Sequence, residues 1–266
     1  MKPEVVIVVA AHKPYRMPKD GMYLPLHVGC EGKATIGYQG DNTGENISLK
    51  NGSFCELTGL YWAWKNLDAD YIGLVHYRRY LCENKIGRDP FENILKQEQA
   101  TRILQHHSVI VPKKRRYYIE TLYSHYAHTF YAEHLDATRE IVAEKTLDYL
   151  DDFDRVMKRT WGYMFNMMVM RRELFQSYCS WLFPILFELE KRNVTPGLEG
   201  FHARFYGRVS ERLFNVWLAR QVRVGNIRQE EIQELPWVYM EKIQWVKKIQ
   251  GFILAKIFHR KYKASF

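Results

Sequence analysis

Short β-branched runs alternate along this chain with stretches of helical period. Val5-Val6-Ile7-Val8-Val9-Ala10-Ala11 is apolar on both faces, as a buried parallel strand should be, and Pro14 ends it. Tyr71-Ile72-Gly73-Leu74-Val75 predicts a second strand, Ser108 to Pro112 a third and Met164 to Met170 a fourth. Between them, Leu57, Leu60, Tyr61 and Trp64 form one stripe of a helix over Phe54 to Asn66, with Ser53 as its cap. Asp89-Pro90 opens a helix to about Leu104, and helices fill Ile119 to Met157. Glu173 to Lys191 is a strongly apolar helix kinked at Pro184, and Ser210-Glu211-Arg212 opens an amphipathic helix through Arg220. Residues 15–52 and 197–205 hold no sustained period and read as long functional loops.

Strands alternating with helices predict an α/β sheet with parallel strands, whose ligands bind beyond the C-terminal strand ends. Polar clusters follow three of the strands: His12-Lys13 after the first, His76 to Arg79 after the second, and Lys113 to Arg116 after the third. That phasing aims three cationic groups at one crevice and makes His12, Lys13, His76, Arg78, Arg79 and Lys113 candidates for holding an anion, most simply a diphosphate. Guanidinium forks match oxygen anions in a plane, and lysines add point charge. For any one cluster the plainer alternative is a solvated loop.

Composition narrows the class. The chain has 266 residues, 47% hydrophobic and 26% charged, which excludes a disordered segment or a small disulfide scaffold. Four cysteines lie scattered without a C-x-x-C pair, so neither zinc nor redox chemistry is expected. No run reaches the ~18 apolar residues of a membrane span. The first residues read as a strand and not as a signal peptide, so a cytoplasmic protein is expected.

Of the net charge of +9, the segment Tyr239 to Phe266 supplies +6, which leaves a body too weakly basic for nucleic acid. In that segment Tyr239, Ile243, Val246, Ile249, Ile253 and Ile257 share one helical face. A cationic amphipathic helix of this kind fits peripheral binding to the inner face of the cytoplasmic membrane; the alternative is a terminal helix packed on the domain. The division expected is a domain over 1–225 and a basic extension over 226–266.

The sequence lacks G-x-G-x-x-G, a P-loop and G-x-S-x-G, so dinucleotide oxidoreductases, P-loop kinases and α/β-hydrolases lose their usual evidence. A diphosphate leaving group needs neutralising charge. Where a metal-binding Asp-x-Asp would stand, the chain reads Val75-His76-Tyr77-Arg78-Arg79, so fixed guanidinium charge replaces a metal in this reading. Asp68-Ala69-Asp70 has the right letters but precedes its strand and reads as a turn. Glu211 is the best-placed candidate for a general base, against the alternative that it only favours the positive end of a helix capped by Ser210.

The motifs His12-Lys13-Pro14-Tyr15, Gly40-Asp41-Asn42-Thr43-Gly44-Glu45-Asn46, Glu56 to Asn66, Gly73 to Tyr80, Phe165-Asn166-Met167, Tyr178 to Pro184 and Gly207 to Arg212 together resemble one bacterial family. It is the family, long a domain of unknown function, found in capsule, exopolysaccharide and O-antigen gene clusters and including a galactofuranosyltransferase domain of an O-antigen polymerase. The resemblance implies a glycosyltransferase of the A-type fold: a Rossmann-like central mixed sheet flanked by helices, here with a C-terminal amphipathic helix. It implies a UDP-sugar donor, UDP-galactofuranose among the options, and a glycan or lipid-linked oligosaccharide acceptor. It implies inverting transfer without a metal or cofactor. It places Asp41, Asn42 and Asn46 in the donor pocket, Asn166 on the strand facing the sugar, and Glu211 at the base. For the first three an Asx-turn network is the alternative. A non-catalytic membrane-associated scaffold in the same pathway is the competing function.

Overall fold

The computed structural model describes residues 3–84 and 87–241. The expected amphipathic helix over 239–266 therefore lies almost wholly outside the described residues, and its first residue, Tyr239, ends a strand.

Eleven strands occur among the described residues, in chain order β1 (Val5–Ala11), β2 (Tyr23–His27), β3 (Gln39–Gly40), β4 (Tyr71–His76), β5 (Arg79–Leu81), β6 (Val109–Pro112), β7 (Arg115–Arg116), β8 (Trp161–Gly162), β9 (Met168–Arg171), β10 (Ile232–Leu235) and β11 (Trp237–Tyr239). The main sheet runs β10-β6-β9-β4-β1-β2-β3, with β5 and β11 appended to β4, and β7-β8 forms a separate ribbon. β1 is parallel to β2 and β4, as the sequence pattern predicts. The departure is β9, which is antiparallel to both β4 and β6 and makes the sheet mixed. Residues 232–239 join this sheet through β6 and β5, so the start of the 226–266 extension packs as part of the domain.

The α-helices are α1 (Asn51–Phe54), α2 (Leu57–Asn66), α3 (Gln97–Leu104), α4 (Leu122–Thr129), α5 (Ala132–Lys145), α6 (Leu150–Met157), α7 (Arg172–Arg192), α8 (Gly200–Ala203) and α9 (Phe205–Arg223). Successive strand residues point to opposite faces, so Val8, Ala10, Ile72 and Leu74 enter one core with α2, α7 and α9. Ile7, Val9, Val75 and Val169 enter a second core with α3 and β11. Burial on both faces explains why these strands read as continuous apolar runs.

Gly73 permits the close approach of β9. A Cβ there would lie 2.8 Å from the Met168 carbonyl and 2.9 Å from Val169. Asp68 and Asp70 stand at the opposite end of β4, both held by Arg172, and Asp70 also accepts the Glu4 backbone N–H. His76 lies six residues beyond Asp70, about 20 Å along the strand, so this Asp-x-Asp is the structural turn that was expected.

Candidate active site at the ends of β1 and β4

β4 ends at His76 and β5 begins at Arg79, leaving Tyr77-Arg78 as a tight hairpin turn. The two arginines diverge there. Arg78 stays at the rim, its guanidinium 5.1 Å from the Tyr77 ring and 3.1 Å from Glu241. Arg79 turns inward, 4.0 Å from the Phe165 ring and 5.5 Å from both Trp237 and Tyr239. Its Nε is buried with no hydrogen-bond partner among the described residues.

His12 and Lys13, beyond β1, also lie against Tyr77, with the His12 ring edge-on at 5.2 Å and Lys13 Nζ at 5.6 Å. Burial, and then the charges of Arg78, Arg204, Lys13 and Lys33, hold the His12 imidazole below its usual range. His12, Lys13 and Arg78 thus gather around the Tyr77 ring, and the charges of Arg204 and Lys33, unseen in the sequence, also reach His12.

Beneath the rim is a turn of unusual backbone. Phe165 (φ 79°) and Asn166 (φ 50°) are consecutive left-handed residues, neither of them glycine. Such strain survives where surrounding contacts over-determine it, and it concentrates at functional sites. Here the contacts are visible. The Phe165 N–H donates to Glu211 Oε1 at 2.9 Å, its carbonyl accepts from His76 Nε2 at 2.6 Å, and Asn166 Nδ2 donates to Glu56 Oε1 at 2.7 Å and to the Gly207 carbonyl at 2.9 Å. One turn therefore ties β4, α2 and α9 together and aligns His76, Glu56 and Glu211.

Glu56 reaches this turn because Cys55 is itself left-handed (φ 55°), which breaks α1 from α2 and leaves Glu56 at the α2 N-terminus. Its side chain makes no cap bond, and its Oε2 has no hydrogen-bond partner among the described residues. Both oxygens of Glu211 are engaged, Oε2 by the buried Arg212 at 2.9 Å. The sequence placed Glu211 in the first turn of a helix capped by Ser210. Instead α9 begins at Phe205, and Ser210 is fully buried against Tyr178, so helix capping does not explain Glu211. Burial is the chief cause that lowers the His76 imidazole, partly offset by the negative charge of Glu56.

The remaining candidates divide. Asp41 is fully buried and accepts from the Gly29 and Cys30 backbone and from Ser48, so it folds the loop. Asn46 caps its own turn through Ser48 N–H and Gly44 O. Asn46 has the local pattern of an Asx turn, whereas Asp41 ties its loop to the end of β2 over longer range. Asn42 is exposed and accepts from Cys30 Sγ at 2.9 Å. Lys113 is exposed at the end of β6, separated from β4 by β9, about 10 Å away by strand spacing. The third cationic cluster thus stands two strands along the same sheet edge from His76.

Two hollows, of about 400 and 340 Å³, lie away from this cluster, one beside the Arg139–Asp154 ion pair and one where Arg16 covers Phe91. Neither gathers reactive groups. Among the described residues no three His, Cys, Asp or Glu side chains converge as a metal set, and no helix is long and apolar enough to cross a membrane.

Comparison with known proteins bears on the family and the fold. The family described as a domain of unknown function, DUF4422, matches residues 6–222. A solved structure titled as the apo form of WbbM, a bifunctional glycosyltransferase, is similar with a TM-score of 0.83 and 30% identity over 90% of this chain. The chain spans 46% of the length of that structure. No curated protein matches.

Proposed function

The chain belongs to the DUF4422 family, and on that footing we propose that it transfers a sugar from a nucleotide-sugar donor to a glycan acceptor. The observation that carries this reading is the meeting, at the ends of β1 and β4, of cationic side chains with carboxylates held by the Phe165-Asn166 turn. The glycosyltransferase likeness supports it, and the central mixed sheet is that of the similar structure.

In this mechanism the donor diphosphate lies against Arg78, Lys13 and Arg204, with His12 neutral and able to donate one hydrogen bond. The acceptor hydroxyl gives its proton to a carboxylate as its oxygen attacks the anomeric carbon. The bond from that carbon to the diphosphate breaks, and the electron pair leaves with the nucleoside diphosphate. Fixed guanidinium charge stabilises this leaving group without the reorganisation that water would need, so the reaction requires no divalent ion. Attack opposite the leaving group inverts the anomeric centre. The donor fitting the family resemblance is a UDP-sugar, UDP-galactofuranose among them, and the acceptor a growing cell-surface polysaccharide or lipid-linked glycan.

Glu211 is the proposed base. A second reading assigns that role to Glu56, favoured by its uncommitted Oε2, with Glu211 then setting the turn. The charge of Arg79 balances the two carboxylates.

The test is release of nucleoside diphosphate from a panel of nucleotide sugars, with and without EDTA, in the presence of glycan acceptors. Release that survives the chelator supports the reading. No release from any donor would leave the scaffold alternative standing.

A further inference from the structure

The third cationic cluster, two strands along from His76, builds a surface of its own. β7 pairs antiparallel with β8 as a ribbon apart from the main sheet. Lys113, Arg115 and Arg116 are exposed, and no carboxylate pairs with any of them among the described residues. Lys114 is the exception, 2.8 Å from Glu234 and 4.5 Å above the Trp161 ring.

Past the ribbon the chain folds back in a three-residue turn. The Ile119 N–H donates to the Tyr117 carbonyl at 2.7 Å, and Tyr118 at the apex has φ 59°. A bulky side chain rarely adopts that region, so the turn must be held from outside. It is held on both sides. The Tyr117 N–H donates to Thr160, and the buried Glu120 accepts from His125 Nδ1 at 3.0 Å and His128 Nδ1 at 2.8 Å. The apex leaves Tyr118 81% and Ile119 75% exposed, side by side.

We propose that residues 113–119 dock on an anionic lipid surface, with Tyr118 and Ile119 entering the interface and Lys113, Arg115 and Arg116 meeting headgroup phosphates. Cations alone would suit a nucleic acid or an acidic glycan equally. The Tyr118 ring alone would stack on a base or a sugar; Ile119 beside it has no such face, and its burial gains only in apolar surroundings such as the membrane interface, which a nucleic acid or a soluble glycan lacks. β4 and β6 are both antiparallel to β9 and so end at the same edge of the sheet. A docked ribbon therefore turns the crevice edge toward the membrane. This inference stands whether or not the crevice transfers sugar.

The test uses the full chain. All four cysteines are buried, so Tyr118→Cys can be labelled selectively with an environment-sensitive fluorophore that reports the apex alone, independent of the basic C-terminal residues. Phosphatidylglycerol-containing vesicles are expected to blue-shift and brighten the label, and phosphatidylcholine vesicles to leave it unchanged. Adding Arg115→Glu and Arg116→Glu should raise the lipid needed for half-response by about tenfold or more. Unlabelled Ile119→Ser should sediment with the anionic vesicles about threefold or more weakly than wild type. An unchanged label spectrum under conditions that sediment the protein would overturn the proposal. So would an equal response to RNA or soluble polysaccharide, or wild-type sedimentation of Ile119→Ser.

Discussion

The side-chain amide of Asn166 donates to Glu56 at 2.7 Å, joining residues 110 positions apart in the sequence. The same amide donates to Gly207 on α9, so a single left-handed residue fixes how α2 and α9 meet over the end of β4. Asn166→Asp would set a second carboxylate against Glu56 and is expected to lower transfer about 100-fold. Asn166→Gly keeps the left-handed backbone without strain but loses the amide. It should fold with a melting temperature near that of wild type and still lose about tenfold or more in kcat. Thermal unfolding and steady-state kinetics on the two variants check this; a fully active Asn166→Gly would remove the positioning role.

Glu211→Gln and Glu56→Gln separate the two candidate bases. The variant that removes the base should lose about 100-fold or more in kcat while donor affinity stays within about twofold. The other should retain most activity. Chemistry unimpaired in both would contradict a carboxylate base at this turn.

Glu241 competes for Arg78 with the diphosphate, since the two side chains pair at 3.1 Å. Both are partly exposed, so the pair contributes little stability. Glu241→Gln is therefore expected to tighten donor binding about two- to fivefold with no loss of fold. Calorimetric titration reads this directly, and weaker binding in the variant would count against diphosphate at Arg78.

Acid should destabilise the fold through the α4 cluster. Burial first, then the charge of Arg212, pushes the buried His125 imidazole down to about 4. Its unfolded value is near 6.5, so between those limits the unfolded chain binds more protons than the folded one. Stability is full above about pH 6.5 and declines as pH falls toward about 4. Glu120, held below its usual value by His128 and His125 against its own burial, adds loss in the same direction at lower pH. Melting temperatures from pH 7 to 4 should fall in wild type and fall less in His125→Gln; parallel curves would refute this assignment.

Much of the sheet was legible because its strands are buried on both faces. Val5–Ala11, Tyr71–His76 and Val109–Pro112 lie where their β-branched runs put them. β2 went unseen because Pro25 and flanking loop residues mask its five residues. The antiparallel sense of β9 is set by tertiary pairing and leaves no mark on Met168 to Arg171. His12, Lys13 and Arg78 follow strand ends and were foreseeable by position. Arg204 and Lys33 come from elements without a readable period. Glu56 was quoted within a motif but not given a role. Its signal is the left-handed Cys55, which no local pattern announces. Lys113 obeys the same strand-end rule as His12, but β9, inserted between β6 and β4, sets it two strands away from His76.

The most direct test is calorimetric titration of the chain in EDTA with a panel of nucleotide sugars, UDP-sugars first, for wild type and Arg78→Ala. Saturable binding by wild type, weakened about tenfold or more in Arg78→Ala, is the result expected if guanidinium charge at this rim holds the diphosphate. Binding that appears only when a divalent ion is added, or that is unchanged in Arg78→Ala, would contradict it.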